Sequence, residues 1–181
     1  MKNTVYSSKF EIAISTVLGN EGGYNDIPQD KGGATRYGIS LRFLQQHKLD
    51  LSGDGIINDE DIKLLTLDKA KEIYHKYFWD NDFESIEQIH TCAKLFDMTV
   101  NMGKKQAVKI LQRALKACGK RYIVDDGIIG AKTLQAIHIS SLDGLKAATK
   151  AEQAAFYRYL VAKDPSQNVF LNGWLNRAYK D

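Results

Sequence analysis

Three side chains between positions 21 and 35 have the types and spacing to share one reaction. Asp30 follows Glu21 by nine positions and Thr35 follows Asp30 by five, within the stretch EGGYNDIPQDKGGATRYGIS from Glu21 to Ser40. A carboxyl that donates a proton, a second carboxylate and a hydroxyl that orients water are the parts glycoside hydrolysis needs. Glu21 closes a run in which Phe10, Ala13, Ile14, Val17 and Leu18 recur at the spacing of one helix face. Gly22 and Gly23 supply the positive φ that ends a helix. A helix C-terminus carries partial negative charge, which together with poor hydration holds a proton on a carboxyl, ready for transfer to a leaving group. The plainer alternative is a solvated glutamate at a helix end.

The elements that position these groups follow from the glycines. Gly32 and Gly33 allow a tight reversal and close approach of a ligand to the backbone, so Gly33 is a substrate-binding candidate. Thr35 to Ile39 is expected to form a short strand, which makes Asp30 and Thr35 neighbours across a turn. Tyr24 and Tyr37 offer aromatic faces for sugar rings, with simple packing as the alternative.

The residues Glu21-Gly22-Gly23-Tyr24, Asp30, Gly32-Gly33, Thr35 and Gly38-Ile39 resemble the signature of glycoside hydrolase family 108. Its members are muramidases from phage endolysins and bacterial secretion systems. The Glu, Asp, Thr order also resembles phage lysozymes more widely. The resemblance implies cleavage of the β-1,4 bond between N-acetylmuramic acid and N-acetylglucosamine in peptidoglycan. It implies that Glu21 is the catalytic glutamate, with Asp30 and Thr35 matching the pattern. The family usually has Asn after the Thr, where this chain has Arg36.

A second acidic stretch runs from Asp50 to Asp61. Read as a twelve-residue calcium loop, it places Asp50, Ser52, Asp54, Asn58 and Asp61 as side-chain ligands, Gly55 at the sharp turn and the Ile56 carbonyl between them. The stretch resembles EF-hand and dockerin loops, and implies a structural calcium but no cofactor for catalysis. Ser at the third position and the short Asp61 at the twelfth weaken such a site. An Asx-rich turn that folds without metal is the alternative.

Further along, Ser40 and Thr66 are expected N-caps. Helical faces recur at Leu67, Ala70, Ile73, Tyr74, Tyr77 and Phe78, and again at Ile86, Ile89, Ala93, Phe96 and Val100. Asp97, beside apolar neighbours, needs a hydrogen-bonding partner. A further helix from Lys104 is stopped at Gly119. The pattern Asp126-Gly127-x-x-Gly130-x-x-Thr133 then resembles the helical peptidoglycan-binding domain that accompanies family 108. The alternative is a helix–helix linker without a ligand. A long helix around Leu145 to Leu160 and a short one around Phe170 to Ala178 complete the chain.

The 181 residues suffice for one domain or two small ones. The net charge of +3 does not point to nucleic acid, which calls for a concentrated basic face. Cys92 and Cys118 sit in apolar helical patterns and are expected as reduced thiols. No signal peptide or membrane-spanning run is read, so the expectation is synthesis in the bacterial cytoplasm and release to the wall through a holin pore or a secretion system. The expected fold is mainly α and lysozyme-like, with a small β-hairpin after the first helix. Residues 1–90 form the catalytic half and 91–181 the peptidoglycan-binding half, packed as one monomeric unit. The leading function is a muramidase with Glu21 as general acid. The rivals are a lytic transglycosylase acting on the same bond and a non-catalytic wall-binding secretion accessory.

Overall fold

The structure, a computed structural model, describes residues 5–20 and 34–180. Its elements are α1 (Ser8–Asn20), β1 (Thr35–Arg36), β2 (Ile39–Ser40), α2 (Leu41–Gln46), α3 (Asp59–Leu64), α4 (Leu67–Phe78), α5 (Asn81–Glu84), α6 (Ile89–Met102), α7 (Lys104–Ala117), α8 (Ala131–His138), α9 (Leu142–Lys163), a 3-10 turn (Pro165–Gln167) and α10 (Asn168–Tyr179). The described chain is mainly helical, with one small antiparallel hairpin after the first helix. Two compact units divide it: Ile14–Trp79, and Met1–Ala13 together with Asp80–Asp181. No helix among the described residues is long and apolar enough to cross a membrane.

In the smaller unit the hairpin pairs Thr35 with Ser40 and Arg36 with Ile39. This corrects the expectation of a single strand from Thr35 to Ile39. The chain reverses within that stretch because Tyr37 and Gly38 both take positive φ, 53° and 75°, as a two-residue hairpin turn of the favoured hand requires. Glycine enters that region freely, whereas tyrosine does so at a cost. Part of the compensation comes from Tyr74, whose hydroxyl donates to the Tyr37 carbonyl at 2.9 Å. Ser40 caps α2 by accepting the Phe43 amide, and Thr66 caps α4 by accepting that of Lys69. Leu44, Ile62, Leu65, Ala70, Ile73 and Tyr74 are buried in this unit's core. Leu67, expected on the same apolar face, is exposed in the first turn of α4.

In the larger unit α6, α7, α9 and α10 bury their apolar faces. Leu95, Phe96, Met98, Ile110, Leu111, Leu115 and Ala154 are fully inaccessible. Phe96 meets Phe10 and Phe83 edge-on, at centroid distances of 6.1 and 5.4 Å. Gly103, at φ 83°, ends α6 and starts α7 without a break. Asp97 is buried and accepts from Arg177 at 2.9 Å to Nη2 and 3.2 Å to Nε, which supplies the partner its burial demands. The ammonium of Lys94 donates to the carbonyls of Arg177 and Ala178, satisfying the orphan end of α10. Both cysteines are free thiols. Burial pushes the Cys92 thiol up to about 12, so it stays protonated.

Candidate functional site

Glu21, Tyr24, Asp30 and Gly33 lie outside the described residues, and so does any contact they make. The segments on either side of them are well anchored. Before them, Phe10, Ala13, Ile14 and Val17 of α1 are fully buried, so the expected helix face is the one that packs. After them, Ala34 is 2% exposed and its carbonyl accepts the Leu41 amide at 2.9 Å, closing the base of the hairpin. Thr35 is half-buried at the first position of β1, and Tyr37 is half-buried in the turn. The hairpin therefore carries these two residues, both expected at the site from the sequence, on one small, braced element. Arg36 is put to use locally. Its guanidinium lies 5.3 Å over the Tyr37 ring and its Nη1 donates to the Lys63 carbonyl.

The Asp50–Asp61 stretch forms a loop that closes on its own carboxylates. One Asp50 oxygen accepts from the Gly53 amide at 2.6 Å and from the Ser52 hydroxyl, and the other accepts from the Gly55 amide at 2.8 Å. Asp61 is fully buried and accepts three backbone amides, Leu51 at 2.7 Å, Ser52 at 3.0 Å and Asn58 at 2.9 Å. Asp54 turns back onto the Ile56 amide, and Asn58 caps α3 through Glu60. Burial alone would raise the Asp61 carboxyl. The amides of Asn58, Ser52 and Leu51 outweigh it and hold the group below its ordinary range. The amides of Gly55 and Gly53 do the same for Asp50. The oxygen-only donor set suits a hard cation such as calcium. Yet the carboxylates of Asp50, Asp54 and Asp61 already accept six of the loop's own N–H groups, and no three acidic, His or Cys side chains among the described residues are grouped to hold an ion.

The Asp126-Gly127 pattern is likewise turned inward. Gln112, 1% exposed on α7, donates to the Asp126 carboxylate at 2.8 Å and to the Ile128 carbonyl at 3.0 Å. Its carbonyl accepts the Gly127 amide at 2.9 Å. Gly127 has φ 83°, and a Cβ there would lie 2.8 Å from the Lys105 carbonyl oxygen, so only glycine fits. Beside it, Asp125 pairs with Lys116 and Arg113, which hold its carboxyl well below the usual range. Gly130 then starts α8. This loop is a docking device between α7 and α8, and its polar groups are already satisfied.

Two positioning groups escape the sequence reading. The Tyr74 hydroxyl reads as one more apolar-face aromatic, and Gln112 as an ordinary polar helix position. A polar residue inside an otherwise apolar face was the available signal for Gln112.

Comparison with known proteins fits this architecture. Residues 14–103 match the family model described as Glycosyl hydrolase 108, and residues 106–179 the one described as Predicted Peptidoglycan domain. No curated protein matches the sequence. Among solved structures, SagA of Brucella abortus is similar at 29% identity and a TM-score of 0.70, over 93% of this chain and 88% of that one. The mainly helical fold with its hairpin is lysozyme-like. The first part of the chain thus belongs to the glycosyl hydrolase 108 family, and a predicted peptidoglycan domain follows it.

Proposed function

We propose that this protein is a peptidoglycan hydrolase that cleaves the β-1,4 bond between N-acetylmuramic acid and N-acetylglucosamine. Glu21 protonates the glycosidic oxygen as the bond breaks. Asp30 assists the attacking water or stabilises the oxocarbenium-like transition state, and Thr35 orients that water. Tyr24, Tyr37 and the backbone at Gly33 border the sugar. One observation carries the reading: a single family match over residues 14–103 takes in Glu21, Asp30 and Thr35. The braced hairpin supports it, because a hydroxyl that positions water must itself be held still. Digestion of purified peptidoglycan with mass analysis of the products is the test. Reducing N-acetylmuramic acid ends are expected. Anhydro ends would replace hydrolysis with transglycosylation, and reducing N-acetylglucosamine ends would move the cut to the other bond.

The Asp50–Asp61 loop enters this proposal as a calcium site of low affinity with a structural role. Its oxygens already accept amides, so an ion competes with bonds that are in place. Asp50, Ser52, Asp54, Asn58, Asp61 and the Ile56 carbonyl would hold it. Calcium is expected to raise the melting temperature only at millimolar concentration, following the linkage between binding and stability. A micromolar midpoint, or no response at 10 mM or so, would each remove the low-affinity site.

A further inference from the structure

The larger unit holds an open cavity of about 410 Å³ between α7 and α9, lined by Gln106, Arg113, Glu152, Ala155, Phe156 and Tyr159. That volume falls within the roughly 300–1,000 Å³ typical of small-ligand sites. Gln106 and Arg113 sit two turns apart on α7, while Glu152, Phe156 and Tyr159 follow the i, i+4, i+7 rule on α9. Tyr159 is 54% exposed, and the Lys163 ammonium lies over its ring at 5.6 Å. Phe156 packs against the buried cluster of Ala154, Tyr157 and Ala178, so the cavity has a fixed apolar floor.

The polar groups of this cavity contrast with those of the Asp126–Gly127 loop. Gln106 and Glu152 have no hydrogen-bond or ion-pair partner among the described residues, and Arg113 uses only its Nε, on Asp125 at 3.0 Å. An amide, a carboxylate, a guanidinium and two aromatic rings form the combination that recognises a sugar with acetamido groups. The rings meet its apolar face, and planar polar groups meet its hydroxyl, N–H and C=O groups. Gln106 also lines a second depression of about 360 Å³ with Lys104, Lys105 and Lys109. Lys104 is held by Asp80 and Asp82. Lys105 and Lys109 have no partner among the described residues, so the charge beside the cavity is available to a carboxylate.

We propose that this α7–α9 groove binds an N-acetylated, carboxylate-bearing glycan, with Tyr159 and Gln106 as the principal contacts and Lys105 and Lys109 taking the carboxylates. The inference rests on the peptidoglycan reading above and places wall recognition on named residues. All of the cavity's lining residues fall inside the 106–179 match. The glycine-rich loop that first suggested binding contributes only the scaffold.

The test is co-sedimentation of the full-length Glu21→Gln chain with purified peptidoglycan at low temperature, where turnover does not enter. Tyr159→Ala and Gln106→Ala are each expected to weaken binding at least tenfold. Tyr122→Ala, an equally exposed tyrosine away from the cavity, should stay within twofold. Chitin beads carry the acetamido groups without the carboxylates and should bind at least fivefold more weakly than peptidoglycan. Combining Lys105→Ala with Lys109→Ala should close that gap. Parental binding by a folded Tyr159→Ala, Gln106→Ala double variant would overturn the groove, and equal binding to chitin and peptidoglycan would overturn the lysine assignment. Should Tyr159→Ala fail to fold, Gln106→Ala alone decides. Groove-dependent binding, together with no release of sugars by the parental chain with Glu21 intact at working temperature, would leave this site standing and remove the hydrolase.

Discussion

The two acidic glycine loops, Asp50–Asp61 and Asp125–Gly130, look alike in sequence and are closed in opposite ways. The first is closed from within, by Asp61 gathering three amides of its own loop. The second is closed from outside, by Gln112 of the preceding helix. Both place glycine at positive φ, at Gly53 and Gly55 in one and Gly127 in the other. What differs is the range over which each loop exerts order. The first is a local knot that sets the start of α3. The second ties two helices together and so belongs to the packing of its unit. In both, residues that resemble ligand-binding signatures are largely committed to architecture.

The largest expected effect breaks the self-closed loop. Asp61→Ala leaves three amides without their buried acceptor and should cost about 3 kcal/mol, since bonds to a charged partner contribute roughly 1.5–3 kcal/mol each and water recovers part of the loss. Denaturant unfolding measures it. Gln112→Ala should cost somewhat less, about 2 kcal/mol, for a neutral side chain making three short bonds and one long one, at 3.5 Å to Thr133. It should also raise amide exchange at Gly127 and Ile128 while leaving the Asp50–Asp61 loop unchanged. Comparable exchange in both loops would dissolve the distinction. Tyr74→Phe extends the externally closed class to the hairpin: losing one hydroxyl donor should cost about 1 kcal/mol. Exchange should then rise at the Tyr37–Gly38 turn.

The smallest effect concerns the ion pairs beside the second loop. Asp125 is partly exposed, so Asp125→Asn should cost only about 0.5–1 kcal/mol near neutral pH. The Asp125 carboxyl is held low in the folded state, so its contribution is fully present above the ordinary carboxylate range. It is lost as the pH falls through the depressed folded value. The gap in stability between wild type and variant should therefore narrow steadily once the pH falls below the ordinary carboxylate range, as urea unfolding from pH 7 down to about 2 would show.

Short-range features of this fold were legible in the sequence. The Ser40 and Thr66 caps and the stop at Gly119 depend on residues within one turn of each other. Long-range features were not. Arg177, the partner of Asp97, lies 80 positions away, and nothing in either local pattern names the other. The Thr35–Ile39 stretch read as one strand because a tyrosine at positive φ defies local preference and is held by Tyr74, 37 residues on. The α7–α9 groove was hidden for a similar reason. Each helix shows its own face, and the cavity exists only where the two meet. Of the proposed site residues, Thr35 and Tyr37 are seated on the hairpin, while Glu21 and Asp30 lie outside the described residues and are proposed from the sequence pattern.

The proposed hydrolysis turns on Glu21, and the rate of sugar release from purified peptidoglycan by Glu21→Gln tests that role most directly. Removing a general acid should lower that rate by roughly 10²–10⁴ while the chain folds and sediments with peptidoglycan as before. A folded Glu21→Gln that releases sugars at the parental rate would contradict the account.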